Sequence, residues 1–334
     1  MIETVEILSH AQTARWQEAV RDLSLPSLSW HHAHALSACG IKPQLAEVRC
    51  GQSRLVFVFF ERRWHGVTDI ATIPGLSGAY LTPGSADALR LWHEYACAQN
   101  WLTGYLQIAV DYPARTLDIY GEIRTGQSVF RLDLAADGWL GKASEMIRRK
   151  VAAAERSSTA QVEDTAELSD ALQRLYPATM RRVATPPRFQ FTATALERWA
   201  QAPDCLILGG RVKGVVKAVS LFQFAGSRAE YNINVCTEDG QFLAAWLIWQ
   251  ASLELAERGV RTLNLGGGVK PQDGLHYFKE RFNGREMPLQ ALCQIYDSER
   301  YQSICQNLGN QTNDAFFPAY AAPDGGLAAS AAGK

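Results

Sequence analysis

Apolar and polar positions repeat one pattern twice along this chain. Residues 44–49 and 54–62 are rich in strand-forming side chains and flank a turn at Cys50, Gly51, Gln52 and Ser53, which reads as a hairpin. A stretch with helical spacing comes next over 86–100, with Leu89, Trp92, His93 and Ala96 on one face, and then a strand over 102–110. The second half runs in the same order. Residues 204–208 and 215–224 flank a glycine-containing turn at 209–214, and 228–235 reads as a third strand. Residues 241–258 read as a helix closed by Gly259 at the position that favours positive φ, and a short strand comes after it over 261–265. That helix is apolar nearly all round, from Phe242 to Trp249, which predicts burial.

A strand–helix–strand unit normally crosses over right-handed to a parallel strand, and hairpins feeding it give a mixed sheet with helices on its faces. The expected fold class is therefore α/β, with two tandem domains that are each a mixed β-sheet flanked by helices. The first spans 1–136. The second spans 137–296 and begins with a polar, basic linker helix over 137–156. After Tyr296 the periodicity fades, so 297–334 is expected to be a tail, disordered in its last part from Pro323 to Lys334.

Composition narrows the function classes. The chain has 334 residues, 47% hydrophobic and 20% charged, with a net charge of −1. That is long enough for two ordinary cores, and it supplies no global basic field for holding DNA phosphates. The start is acidic and lacks a secretory pattern. No apolar run is long enough for a membrane span; residues 242–256 come nearest and contain Gln250 and Glu254. Seven scattered cysteines without a Cys-x-x-Cys pair support neither a disulfide framework nor a zinc ribbon, so a reducing cytoplasm is the expected setting. His31, His32 and His34 are spaced too closely on one helix to converge on an ion, and no metal is expected.

The stretch richest in chemistry is Leu263, Asn264, Leu265, Gly266, Gly267, Gly268, followed by Tyr277, Phe278, Lys279 and Phe282. It reads as a strand, a glycine turn where backbone can approach a ligand, and a helix carrying one lysine between core aromatics. Other stretches complete a pattern: Phe130-Arg131-Leu132-Asp133-Leu134 with Met146-Ile147-Arg148-Arg149-Lys150, and Leu175-Tyr176 through Thr179-Met180-Arg181-Arg182. In this order the motifs resemble the GNAT superfamily, and within it the branch of Fem-type peptidyltransferases and related double-GNAT (BioF2-like) acyltransferases. The resemblance spans about residues 25–296. It implies tandem GNAT-like domains and transfer of an acyl or aminoacyl group to the amine of a small molecule or cell-envelope precursor. The implied co-substrate is acyl-CoA, an acyl carrier protein or an aminoacyl-tRNA, with no tightly bound cofactor. A catalytically silent GNAT-like binding scaffold remains the alternative.

Acyl transfer needs aligned reactants, loss of a proton from the amine, and stabilisation of a tetrahedral oxyanion. The resemblance assigns the last task to Lys279, expected as a mostly exposed helix lysine; His276, whose natural pKa range suits a proton acceptor, is a second catalytic candidate. The resemblance places Arg182, Tyr176, Asn264, Gly266, Gly267, Gly268 and Phe278 at the substrates, with Arg181 and Arg188 nearby alternatives; from their place near the glycine turn, His276 and Asp273, and on the strand before it Glu230 and Tyr231, are the residues a general base could come from. Arg148, Arg149 and Lys150 form a basic run in which Glu145 can pair with Arg149. One departure stands out. Acetyl-CoA-binding GNATs hold the pyrophosphate on a glycine-rich loop, whereas residues 237–244 here have one glycine beside Glu238 and Asp239, which would repel a diphosphate. No long helical-hairpin arm of the kind known in some Fem proteins is readable in the second half.

Overall fold

The hairpin and crossover signals become strands and helices in a computed structural model. It describes residues 3–64, 66–82, 86–112, 117, 120–136, 138–157, 160–162, 164–185, 190–268, 273–309 and 316–321. In chain order the elements are β1 (Glu3–Ser9), α1 (Thr13–Val20), α2 (Trp30–Ser37), β2 (Gln44–Cys50), β3 (Ser53–Trp64), β4 (Val67–Thr72), β5 (Tyr80–Leu81), α3 (Asp87–Cys97), β6 (Trp101–Ile108) and β7 (Glu122–Asp133). Then come α4 (Glu145–Arg156), β8 (Ala160–Val162), α5 (Thr165–Arg182), α6 (Ala193–Ala200), β9 (Cys205–Val212), β10 (Val215–Ala225) and β11 (Arg228–Cys236). The last are α7 (Leu243–Glu257), β12 (Thr262–Asn264), α8 (Gly274–Glu280), β13 (Arg285–Ile295) and α9 (Ser298–Leu308).

The chain divides into two compact units. One comprises Met1–Arg21, Cys39–Gly126 and Leu289–Lys334, the other Asp22–Ala38 and Gln127–Pro288. In the first unit the strand order is β1-β2-β3-β4-β6-β13, with β5 paired to β3. Neighbours are antiparallel except β4 and β6, a parallel pair joined through α3. In the second unit the order is β8-β9-β10-β11-β12-β7, antiparallel except for the parallel pair β11 and β12, joined through α7. The two orders correspond strand for strand, and each parallel pair has the helical crossover that its geometry demands. Each unit is thus a mixed sheet flanked by helices.

Two boundaries differ from the sequence reading, which divided the chain into contiguous pieces at 136/137 and 296/297. Strand pairing sets the division instead. The first sheet takes its last strand, β13, from near the C-terminus, where Gln290–Ile295 pair with β6. The second unit also takes in 22–38, whose helix α2 packs on α6.

The cores follow the apolar faces. In the first unit Phe57 and Phe59 of β3 pack on Trp92 of α3, with the Phe57 and Trp92 rings edge to face at 4.7 Å. In the second, the nearly all-apolar α7 lies with α4 against the sheet and buries Trp246, Leu247, Ile248 and Ala251. The expected turn at 209–214 is shorter than read. Gly209 and Gly210 lie inside β9, because added Cβ atoms there would press on Leu168 of α5 and Leu243 of α7. The turn itself is Lys213–Gly214, both with φ > 0, as a two-residue hairpin requires.

Structure also continues past Tyr296. Asp297 caps α9 by accepting from the Arg300 N–H, and Tyr320 is buried in the first unit. The Tyr320 hydroxyl donates to Asp69, a carboxylate only 1% exposed that also accepts from Thr103 Oγ1 at 2.9 Å. Residues 310–315 and 322–334, including Pro323–Lys334, lie outside the described residues. Tyr320→Phe removes a donor from this buried carboxylate. It should destabilise the protein by about 1–3 kcal/mol, read as a lower midpoint in urea; an unchanged midpoint would detach the segment from the core.

Candidate active site

The parallel strands of the second sheet pair only briefly. Arg228–Glu230 of β11 match Thr262–Asn264 of β12, after which β12 turns away while β11 runs on to Cys236. The register against β10 shifts at the same place, passing from Leu221↔Ile233 to Phe222↔Tyr231 and leaving Asn232 as the extra residue of a bulge. Among the described residues, β11 beyond Glu230 has no strand on its β12 side. Such an unpaired strand edge is usual where strands of an α/β sheet diverge, and it is where ligands of open sheets bind.

The glycine turn forms the other wall. Gly266 has φ +69°, a left-handed conformation that favours glycine. Its N–H donates to Asn264 Oδ1 at 2.8 Å, and its carbonyl accepts from Phe130 N on β7 at 3.2 Å. An added Cβ at Gly267 would collide with the carbonyl of Ser128. Gly266 is therefore demanded by its backbone conformation and Gly267 by the close approach of the turn to β7.

Lys279 closes the site from α8. The helix starts on Asp273, whose side chain accepts from the His276 N–H at 2.8 Å. The lysine is 7% exposed, not the solvent-facing residue that a short polar helix suggested. Its Nζ donates to Gly267 O at 2.9 Å and stands 5.8 Å from the centre of the Tyr231 ring. Burial pushes its pKa from 10.5 down to about 8, opposed by the nearby Asp273 carboxylate. Tyr231 is stacked on Phe222 at 5.1 Å, and burial raises its hydroxyl pKa.

The other sequence candidates sort by position. His276 is half-buried, edge-on to Phe130 at 4.9 Å. Phe278 packs edge to face on Phe282 at 5.4 Å, and Lys150 of α4 places its ammonium 5.7 Å over the Phe278 ring. Asn264 alternates with Leu263 and Leu265, which belong to the core under α4 and α7, so its side chain is on the opposite face of the sheet from them. The Thr-x-x-Arg segment of α5 fastens the helix to the end of β11. Thr179 Oγ1 donates to Cys236 O at 3.2 Å, and both terminal nitrogens of Arg182 donate to the same carbonyl at 3.1 Å. Tyr176 accepts from the Phe191 N–H at 3.1 Å. Arg188 lies outside the described residues. Gly268 leads directly into 269–272, which lie outside them too, as does whatever borders the turn there. In the basic run, Arg149 pairs with Glu145 at 2.6 Å and Arg148 donates to Gly141 O. His31 lies 3.4 Å from Asp204, and Trp199 donates to His32. A cavity of about 400 Å³ lies by the distant strands β8 and β9, lined in part by Val162, Ile207, Glu254 and Arg258.

The matching place in the first unit is filled by its own backbone. There Ala79 N donates to Gln107 O at 2.7 Å and Ala79 O accepts from Ala109 N at 3.2 Å, wedging the chain beside β6. Gln107 Nε2 adds a bond to Gly75 O at 3.1 Å. The second unit alone combines diverging strands, a glycine turn and a buried lysine among the described residues.

The chain matches no protein-family model and no curated protein sequence. Solved structures share its fold. FemX superposes with a TM-score of 0.66 at 14% identity, over 90% of this chain and 99% of that one. The C-terminal domain of a candidate lysylphosphatidylglycerol synthetase from Agrobacterium fabrum gives 0.63 at 14% identity, over 90% and 97%. The lysylphosphatidylglycerol synthase structure from Bacillus licheniformis gives 0.61 at 12% identity, over 86% and 93%. This chain shares the fold of FemX and of these synthetase structures.

Gly267→Ala tests the geometry of the turn. The added methyl meets backbone, which cannot swing aside, so the variant should lose about 1–3 kcal/mol of stability. A urea midpoint equal to that of the wild type would mean that the turn stands further from β7.

Proposed function

We propose that this protein is an amide-forming acyltransferase. It moves an acyl or aminoacyl group from a carrier to an amine at the opening between β11 and the glycine turn of the second unit. The observation that carries this reading is the buried ammonium of Lys279, fixed on Gly267 O where the parallel strands part. Its support from neighbours is one of fold, since FemX and lysylphosphatidylglycerol synthase are similar to it in architecture.

The acceptor amine attacks the donor carbonyl, and the carbonyl oxygen gains the charge of a tetrahedral intermediate. Lys279 is the cation that meets it, in surroundings where water does not dilute the field. The intermediate then expels the carrier, and the amine gives up a proton. His276 lies on the same helix as a candidate acceptor for that proton. The edge of β11 beyond Glu230 can hold an extended amide-bearing chain by backbone bonds.

Acyl-CoA fits poorly in its usual pose. The turn before α7 holds Glu238 and Asp239, with Asp239 Oδ2 paired to Lys217 at 2.9 Å and its carboxyl held below the usual range by that ammonium. A diphosphate at this point would displace an ion pair and face a further carboxylate. An acyl carrier protein or aminoacyl-tRNA that seats its phosphates elsewhere suits the site better. A silent scaffold would have no use for an ammonium held out of water, and the burial of Lys279 supports the enzyme reading.

Lys279→Met tests the role directly. Amide product formed from charged tRNA, acyl-CoA or acyl carrier protein, followed by mass spectrometry, should fall by about 10²-fold or more in kcat. The melting temperature at pH 7 should hold or rise, because the variant removes a desolvated charge; unchanged turnover would exclude the lysine. The pH dependence has a definite sign. Lys279 acts as a cation, so kcat should decline as pH rises past about 8, where it deprotonates. A rate that climbs through that range would instead make the lysine a base.

A further inference from the structure

Behind the glycine turn lies a buried carboxylate that acyl transfer as described does not use. Glu230, 2% exposed, is the last residue of β11 paired with β12, directly in register with Asn264. A carboxylate so far from water needs hydrogen-bond donors. Ser27 Oγ supplies one, 3.3 Å from Oε1 and 3.2 Å from Oε2. Ser27 comes from the 3₁₀ turn Pro26–Leu28, in the segment 22–38 that the second unit takes from far up the chain. That turn is pinned on both sides of the serine. Ser24 Oγ accepts from Ser227 N at 3.3 Å in the β10–β11 connection, and Ser29 Oγ donates to Asp204. The hydroxyl is thereby held at the carboxylate.

From Glu230 the arrangement leads to the lysine in short steps. Glu230 and Asn264 sit side by side on neighbouring strands, and residues in register share a face. Asn264 Oδ1 accepts the Gly266 N–H, and Gly267 O accepts the Lys279 ammonium. The pair stands at the last register position before β11 and β12 part, beside the point from which the turn departs.

We propose that Ser27 and Glu230 form a positioning pair that holds the glycine turn, and through it Lys279, in the geometry acyl transfer uses. Neither residue touches the reacting atoms. The proposal rests on the acyltransferase reading for its consequence in catalysis, but its structural half can be read without substrate.

The experiment uses the full chain labelled with lysine carrying 13C at Cε. The Lys279 signal is assigned by its absence in Lys279→Met and titrated by NMR. In Ser27→Ala and in Glu230→Gln the loosened turn admits water to the lysine. Its pKa should rise from about 8 toward the ordinary lysine value of 10.5, by at least about half a unit on the scale of common environmental shifts. Ser27→Thr restores the hydroxyl and should return the titration to the wild-type value. Where acyl transfer is measured, Ser27→Ala should lower kcat by about 10-fold to 100-fold with KM little changed, as displacement of a positioned group does. An unaltered Lys279 titration in both folded variants overturns the proposal. So does failure of Ser27→Ala to fold, which would make the pair a plain core contact. A shifted titration in a protein that transfers no acyl group would uphold the positioning pair and sink the acyltransferase reading instead.

Discussion

A lysine ammonium held out of water at the parting of two parallel strands is the constraint around which the second unit is arranged. Desolvating a cation is costly, so its partners must be fixed. Gly267 O meets the charge, the Tyr231 ring lies alongside, and Asp273 offsets part of the penalty. The cost has a sign in pH. The folded protein binds this proton less tightly than the unfolded chain, so the penalty is present in full below about 8 and is relieved as pH rises toward 10.5. Described neighbours accommodate it. The glycines let the turn approach β7, and the Asp273 cap fixes the start of α8.

The two units share one strand order and differ in what stands beside it. Both have a single parallel pair reached through a helix, and both take their final strand from a remote part of the chain. They differ where that pair ends. In the first unit, backbone around Ala79 satisfies the edge of β6, and Gly78, at φ +69°, allows the approach because a side chain would strike the Gln107 carbonyl. In the second, the edge of β11 stays unpaired over the described residues while a lysine faces it. The difference lies in the segment set beside the strand, not in the sheet.

Much of this was legible in the amino-acid pattern, for identifiable reasons. Hairpins with tight turns, the apolar helix ending at Gly259, and the Phe278, Lys279, Phe282 spacing are local signals, and each has its counterpart in β2–β3, α7 and α8. The elements that escaped depend on distant partners. β1 alternates too weakly to be read alone and is defined by pairing with β2; β13 is defined by pairing with β6. Glycines 209 and 210 resembled a turn because close helix packing and tight turns both select glycine. The burial of Lys279 was not readable from a seven-residue helix, since the turn that covers it bonds through backbone oxygen. Ser27 carried no signal at all: a serine more than 200 residues from its carboxylate in sequence is linked to it only by the fold.

The Thr-x-x-Arg segment gives a second view of how the site is held. Sequence resemblance placed Arg182 at the substrates, and in the structure its guanidinium and the Thr179 hydroxyl converge on Cys236 O, the last residue of β11. Planar bidentate donation to one carbonyl is what a guanidinium does better than an ammonium. β11 is thus fixed at its far end by α5 and at its near end by the Glu230 register with β12. The stretch between, from Tyr231 to Val235, has a bulge and, among the described residues, no strand on its β12 side. A strand clamped at both ends, paired with β10 on one side and without a strand partner on the other among the described residues, has its conformational entropy already spent in folding. Glu238 and Asp239 stand just past the Cys236 clamp, and Lys217 pairs with Asp239 there at 2.9 Å, so the end of β11 toward α7 carries an ion pair and one further carboxylate.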